Sequence, residues 1–434
     1  MSTHLRRPLA LVLAAALLVG GAWAVRALVG APPPAFADSE DSRIEASFLS
    51  TSELERLLGA YEQRTSEVST PSDYLALGNL QLEAGRTSGS VEWYTAAGGS
   101  FRSADELVPA DPRPQVGLAR VALALHDFDA ALAHAAAADE RQSGRLDVRA
   151  VRADALMAVG QLDAASAELE RLARIAPDAP SVLVRRSQAA WLAGRIDLAR
   201  SLAVEAVDVG DQNHARRAWY AGFAAQMAFD TGDIETAETF ANTAVQADPS
   251  AITGLVVSAR VAAGQGEFAA AIDFYERAIA NVPEPRAASE LAVVYRAAGR
   301  IVDAERTEDL VEVVAAVAEG VFDRDLARYL ADRDPLRALA LAEASMQGRM
   351  DPDGWAVLAW AAYRVGDLSL ADQASAAALA TGYRHAEVLY QAGVIAEAVG
   401  ADPQPYFVRA LETNPYFHPV HGPRVRQLLD EHAP

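Results

Sequence analysis

Cysteine and lysine are both missing from this chain of 434 residues, so its 38 Lys+Arg charges are all arginine. Several chemistries go with them. Without a thiol there is no disulfide, cysteine nucleophile, iron–sulfur cluster or lipid-bearing cysteine; without an ε-amine there is no Schiff-base or phosphate-loop lysine. Missing lysine is what the codon usage of a GC-rich genome produces, and missing cysteine leaves the compartment unreadable from disulfides. The Gly-x-Ser-x-Gly elbow, the phosphate loop and the dinucleotide fingerprint are absent too. The 59 acidic residues are spread along the chain as solvated helix faces require. No catalytic residue, cofactor site or metal ligand is therefore expected.

Histidine is sparse. His418-Pro419-Val420-His421, with His432 nearby, is the one close pair. Helical zinc motifs place two histidines four apart with a carboxylate between them, and Pro419 opposes such a helix. The pair reads as surface histidines of a carboxy-terminal turn. His126 stands where a turn glycine is usual and His134 lies beyond it; His126 reads as a turn residue rather than a general base.

What is present is a repeat. In Ile252 to Pro283, Leu255, Ala259 and Ala262 share one helical face, Gly266 ends that helix, and Ala271, Tyr275 and Ala278 share the face of a second helix that stops at Pro283. This is a helical hairpin. The turn position recurs at Gly85, His126, Gly160, Gly194, Gly232, Gly266, Gly299, Arg333, Gly366 and Gly400, and subtraction gives successive steps of 41, 34, 34, 38, 34, 33, 34, 33 and 34. Five positions beyond each turn from His126 to Gly366 stands an alanine: Ala131, Ala165, Ala199, Ala237, Ala271, Ala304, Ala338 and Ala371. A small side chain is needed where the two helices of a hairpin approach most closely. The pattern resembles the tetratricopeptide repeat, whose period is about 34 residues. Tyr74, Leu77 and Gly78 match the opening of that motif, and the ending Asn414-Pro415-Tyr416-Phe417-His418-Pro419 is similar to a subgroup of long bacterial members, exported or membrane-anchored. The resemblance implies an all-α superhelix of about ten hairpins with no sheet, in one elongated body.

Departures from the period are also informative. The first and longest step places seven extra positions after Trp93 and Tyr94, predicting a lengthened or broken second helix near Gly98-Gly99. Four more fall in Gly210 to His214. The eighth unit lacks its turn glycine, and Arg333-Asp334-Pro335 takes over the turn. Residues 38–70 read as a polar linker and a capping helix, with Leu54, Leu57, Leu58 and Tyr61 on one stripe; 71–415 as the array; 416–434 as a final capping helix, Arg424 to Glu431, and a tail.

Residues 1–37 read as a signal peptide or an amino-terminal membrane anchor. Arg6 and Arg7 precede an apolar run from Leu9 to Val25, and Ala35-Phe36-Ala37 is a small-x-small cleavage pattern. Either outcome carries the body across the membrane, because the arginine pair holds the amino terminus inside. The expected location is extracytoplasmic. The net charge of −21, or −24 once Arg6, Arg7 and Arg26 are set aside, repels phosphate backbones and opposes nucleic acid as a partner.

The resemblance implies a non-catalytic scaffold whose first helices line a concave groove for a protein or peptide segment. The alternative is an envelope enzyme or metal-handling protein that uses the repeats as support. In the family the ninth hairpin position faces the groove; in the first six hairpins here those positions are Asn79, Arg120, Asp154, Gln188, Gln226 and Arg260, a polar ladder among apolar neighbours. The family's lysine-dependent carboxylate clamp has no counterpart. Arg120 and Arg260 instead point to an extended segment with acidic side chains or a free carboxy terminus.

Overall fold

The computed structural model describes residues 51–67, 69–209, 214–317 and 322–431, all within one compact unit. They form twenty-two helices and no strand. The amino-terminal apolar run and the Gly210–Asn213 part of the expected insertion lie outside the described residues. No described helix is long and apolar enough to cross a membrane.

Helix α1 (Thr51–Glu67) covers the first hairpin, α2 (Pro71–Ser88) and α3 (Val91–Leu107). Leu54, Leu57, Leu58 and Tyr61 are buried against Leu77, Leu80 and Ala84, as the lone stripe requires. Hairpins follow in pairs: α4 (Arg113–Ala124) with α5 (Phe128–Arg141), α6 (Leu146–Ala158) with α7 (Leu162–Ile175), α8 (Pro180–Leu192) with α9 (Ile196–Asp208), and α10 (His214–Asp230) with α11 (Ile234–Ala247). Then come α12 (Ile252–Gln265) with α13 (Phe268–Asn281), α14 (Pro285–Ala297) with α15 (Ile301–Val317), α16 (Asp323–Leu330) with α17 (Pro335–Met346), and α18 (Pro352–Val365) with α19 (Leu368–Leu379). The last pair is α20 (Ala386–Ala398) and α21 (Gln404–Thr413), closed by α22 (His421–Glu431), which starts at His421 rather than at Arg424.

The repeat register is a packing register. All eight alanines that follow the turns are completely buried. Most turns use a glycine in the left-handed region, and His126 (φ 59°) is the one non-glycine there among the described residues. At the eighth unit Asp334 caps α17 by accepting from the amide of Arg337, and no left-handed residue is needed.

The first hairpin departs from expectation. Its turn is at Gly89 (φ 68°), not Gly85, which lies inside α2 against the ring of Tyr94. The extra residues are shared between a longer α2 and an unbroken α3 that runs straight through Gly98-Gly99.

The array is not an elongated body with an open groove. Its superhelix closes on itself, and the turn glycines make the seam. A β-carbon at Gly194 would stand 2.0 Å from Gly382 O, one at Gly160 2.5 Å from Met350 O, and one at Gly232 2.2 Å from Thr413 O. The members of each pair lie roughly five and a half repeats apart along the chain. Backbone meets backbone there. Across the same seam Asn414 Nδ2 donates to Phe229 O at 2.7 Å, and Trp191 meets Tyr383 edge to face at 5.4 Å.

Candidate functional site

Closing the superhelix turns the expected groove into a lumen of about 1370 Å³. Its walls are mainly first helices, because the second helices of each hairpin pack on the outside. Trp191, Trp219, Phe223, Met227 and Tyr383 give it an apolar side.

Five of the six ladder residues, Arg120, Asp154, Gln188, Gln226 and Arg260, line this lumen. Asn79 does not line it, but its Oδ1 accepts from Arg120 Nη1 at 3.1 Å. A ladder free for a partner is the expectation from sequence. It is largely bonded within the wall instead. Arg185 Nε reaches both Asp154 oxygens at 2.9 and 3.0 Å. Arg260 forks onto Glu290 through Nε and Nη2 at 2.8 Å each and donates a third bond to Gln226 Oε1 at 2.5 Å. Gln226 Nε2 then donates to Asp230. Gln188 alone of the six is exposed within the lumen.

Glu290 is the hub that residue types alone do not reveal. Besides Arg260 it accepts from Tyr275 Oη at 2.9 Å and from Arg286 Nε at 3.2 Å. Burial pushes its carboxyl up, but Arg260 and Arg286 outweigh that and bring it down to about 2. Burial lowers Arg260 as well, and Glu290 more than restores it. The Tyr275 hydroxyl is driven far up by burial and by the Glu290 charge.

Arg120 is the exception. Burial, and then the neighbouring Arg185 guanidinium, lower its pKa, while Glu83, Asp147 and Asp154 act from farther away without an ion pair. Arg185, Arg260, Arg286 and Arg349 each sit on a carboxylate. Arg120 has the amide of Asn79. A partly desolvated cation without a counter-ion is a place for an anion.

A smaller cavity of about 200 Å³ adjoins the lumen and shares Arg260, Arg286, Asp353 and His385 with it. His418 and His421 border it, half-buried rather than on the open surface. Their rings stack at 4.0 Å, and His421 Nδ1 lies 2.7 Å from Oε1 of Glu387 on the first turn of α20. His418 Nδ1 accepts from the amides of Val420 and His421. The helical zinc motif would put a carboxylate between the two histidines; here it comes from the preceding hairpin, which supplies Glu387.

The lumen geometry belongs to a stack of hairpins in repeat register, and a family model described as Tetratricopeptide repeat matches residues 150–214 and 257–313. These are tetratricopeptide repeats. No curated protein matches the chain. Among solved structures, it is similar to a thermophilic tetratricopeptide repeat protein of Thermus thermophilus, at 23% identity over 44% of this chain and 97% of that one, with a TM-score of 0.38. PilF of Pseudomonas aeruginosa follows at 16% identity, over 48% and 90%, with a TM-score of 0.36. An IFIT1 monomeric mutant with Gppp-AAAA shares 15% identity over 83% and 76%, with a TM-score of 0.40. Likeness at this level says nothing of a ligand. The repeats themselves mark a protein-interaction scaffold.

Proposed function

We propose that this tetratricopeptide repeat protein is a non-catalytic scaffold that holds an extended protein segment inside its lumen and pairs one carboxylate of that segment with Arg120. The observation that carries this reading is Arg120 itself, a half-buried lumen arginine with no carboxylate on it. Apolar side chains of the segment pack on Trp191 and Trp219, and Gln188 supplies polar contacts. Amino-terminal sequence supports an extracytoplasmic site of action, as part of a cell-envelope complex, with Leu9 to Val25 as signal or anchor.

Two measurements test it. Reporter fusions joined after Asp38 are expected to be active only beyond the membrane; activity in the cytoplasm overturns the location. For binding, a fluorescent acidic peptide with a free carboxy terminus is titrated against the chain by anisotropy. Arg120→Ala is expected to weaken binding about tenfold, the value of one charge-assisted contact. Loss of the same size from Arg171→Ala or Arg277→Ala, on second helices, would place the site elsewhere.

A further inference from the structure

Glu387, His418 and His421 lie outside the ladder, and the scaffold reading gives them no task. One ligand-type atom from each falls within 4.8 Å of the others. We propose that these three side chains form a binding site for a single divalent cation of borderline softness, Zn²⁺ or a first-row neighbour such as Co²⁺, independently of what fills the lumen.

The donor set is selective. Two imidazoles and a carboxylate suit these cations and suit Mg²⁺ or Ca²⁺ poorly. Three protein ligands leave a fourth position, and the cavity of about 200 Å³ that the three residues border gives it room. The site also holds an unmet demand. Glu387 Oε2 is shut off from solvent and has no hydrogen-bond partner. A buried carboxylate oxygen without a donor is costly, and a cation satisfies it.

The ligands are supported from behind. The loop that carries His418 is tied to the far side of the seam by Asn414 Nδ2 on Phe229 O, and Tyr416 N donates to Asn414 Oδ1 at 2.8 Å. Tyr390 stacks on His421 at 4.5 Å. Backing of this kind orients metal ligands.

Binding requires a defined rearrangement. The two imidazole planes are only 12° apart, and one ion cannot lie in two parallel planes. One ring turns about its χ2. His418 is the one free to do so, because its Nδ1 is held only by the amides of Val420 and His421, at 3.1 Å each, beside the exposed Val420. Water replaces that acceptor, and Nε2 becomes the ligand. At His421 the cation binds Nδ1 in place of the hydrogen bond to Glu387, and Glu387 turns both oxygens to it, so that Oε2 is engaged.

The test is titration of Zn²⁺ into the tag-free full chain, previously stripped with a chelator, followed by calorimetry. One cation per chain is expected. Glu387→Gln and His421→Ala should each weaken binding about tenfold or more, while His134→Gln, at a distant histidine, should leave it unchanged. Co²⁺ should give the visible absorption of a four-coordinate nitrogen and oxygen site. The unaltered chain offers a readout that needs no variant: carbethoxylation of His418 and His421 should slow in Zn²⁺. No Zn²⁺ binding by the unaltered chain, equal affinity after Glu387→Gln in a chain that circular dichroism finds folded, or unprotected histidines would each overturn the proposal.

Discussion

Thr381 donates its hydroxyl to the main-chain carbonyl of Leu192 at 2.7 Å, although the two stand almost half the chain apart in sequence. The bond crosses the seam beside the close approach of Gly194 to Gly382, and it makes the two turns of the superhelix one body. In an open stack each repeat touches only its neighbours.

Two glycine variants isolate the seam. Gly194 (φ 69°) and Gly299 (φ 75°) carry the same left-handed requirement, but a β-carbon at Gly299 meets nothing within 4 Å. Both alanine variants lose about 1 kcal/mol from backbone strain. Gly194→Ala also forces the opposing backbone away and should lose about 2 kcal/mol more in urea unfolding. Equal losses would mean that the seam adds no stability.

The two ladder arginines should separate by phenotype. Arg120→Ala removes a cation with no ion pair and one hydrogen bond to Asn79, so stability should change by no more than about 1 kcal/mol while acidic-peptide affinity falls. Arg260→Ala strips the fork from a half-buried carboxylate that keeps Arg286 and Tyr275, and should cost about 2 kcal/mol in denaturant midpoint measurements.

Glu290 sets an acid limit. Its pKa is lowered from 4.5 to about 2 in the folded chain, so its contribution is present above pH 4.5 and is lost as pH falls through about 2. Allowing for its partial exposure, the effect is on the order of 2 kcal/mol. Thermal unfolding scanned between those pH values should show Glu290→Gln with a shallower acid dependence than the parent. An unchanged slope would remove Glu290 from the account.

Arg324 bridges the eighth repeat to the ninth. Its Nη1 lies 2.8 Å from Asp351 Oδ1, both side chains are almost wholly buried, and the same Asp351 oxygen caps α18 at Gly354 N. Arg324→Ala removes one of the two guanidiniums on that carboxylate, leaving Arg349 Nε at 2.9 Å from Oδ2, and should cost about 2 kcal/mol. Asp351→Asn, which keeps an acceptor for the cap, should cost less than Asp351→Ala by roughly 1 kcal/mol. Calorimetry of the three variants orders them.

Much of the fold is legible because a repeat is a one-dimensional signal. The buried alanines from Ala131 to Ala371 and the turn glycines from Gly160 to Gly400 follow from spacing alone. The seam is not legible: nothing near Gly194 in sequence distinguishes it from Gly299, and pairing between turns so far apart depends on small rotations summed over several hairpins. Five of the six ladder positions are legible as lumen residues, but residue type alone does not supply their partners. Arg185 follows Asp154 by 31 positions and Glu290 follows Arg260 by 30. Those offsets place each partner about one helical turn before the next ladder position. His421 follows Glu387 by 34 for the same reason. Adjacent first helices make neighbours of positions about one repeat apart, and that rule finds both clusters. Gly85 misleads because its sequence pattern fits a turn, whereas its missing side chain makes room for Tyr94.

A wall that closes over a full turn changes how anything gets in. A segment cannot drop sideways into the lumen; it threads from an open end or waits for the bonds at Leu192 and Phe229 to part. Threading admits a free chain terminus and rejects a loop held between two folded domains. Loading should therefore be slow relative to diffusion and should accelerate in Thr381→Val, with little change in the final occupancy per unit affinity.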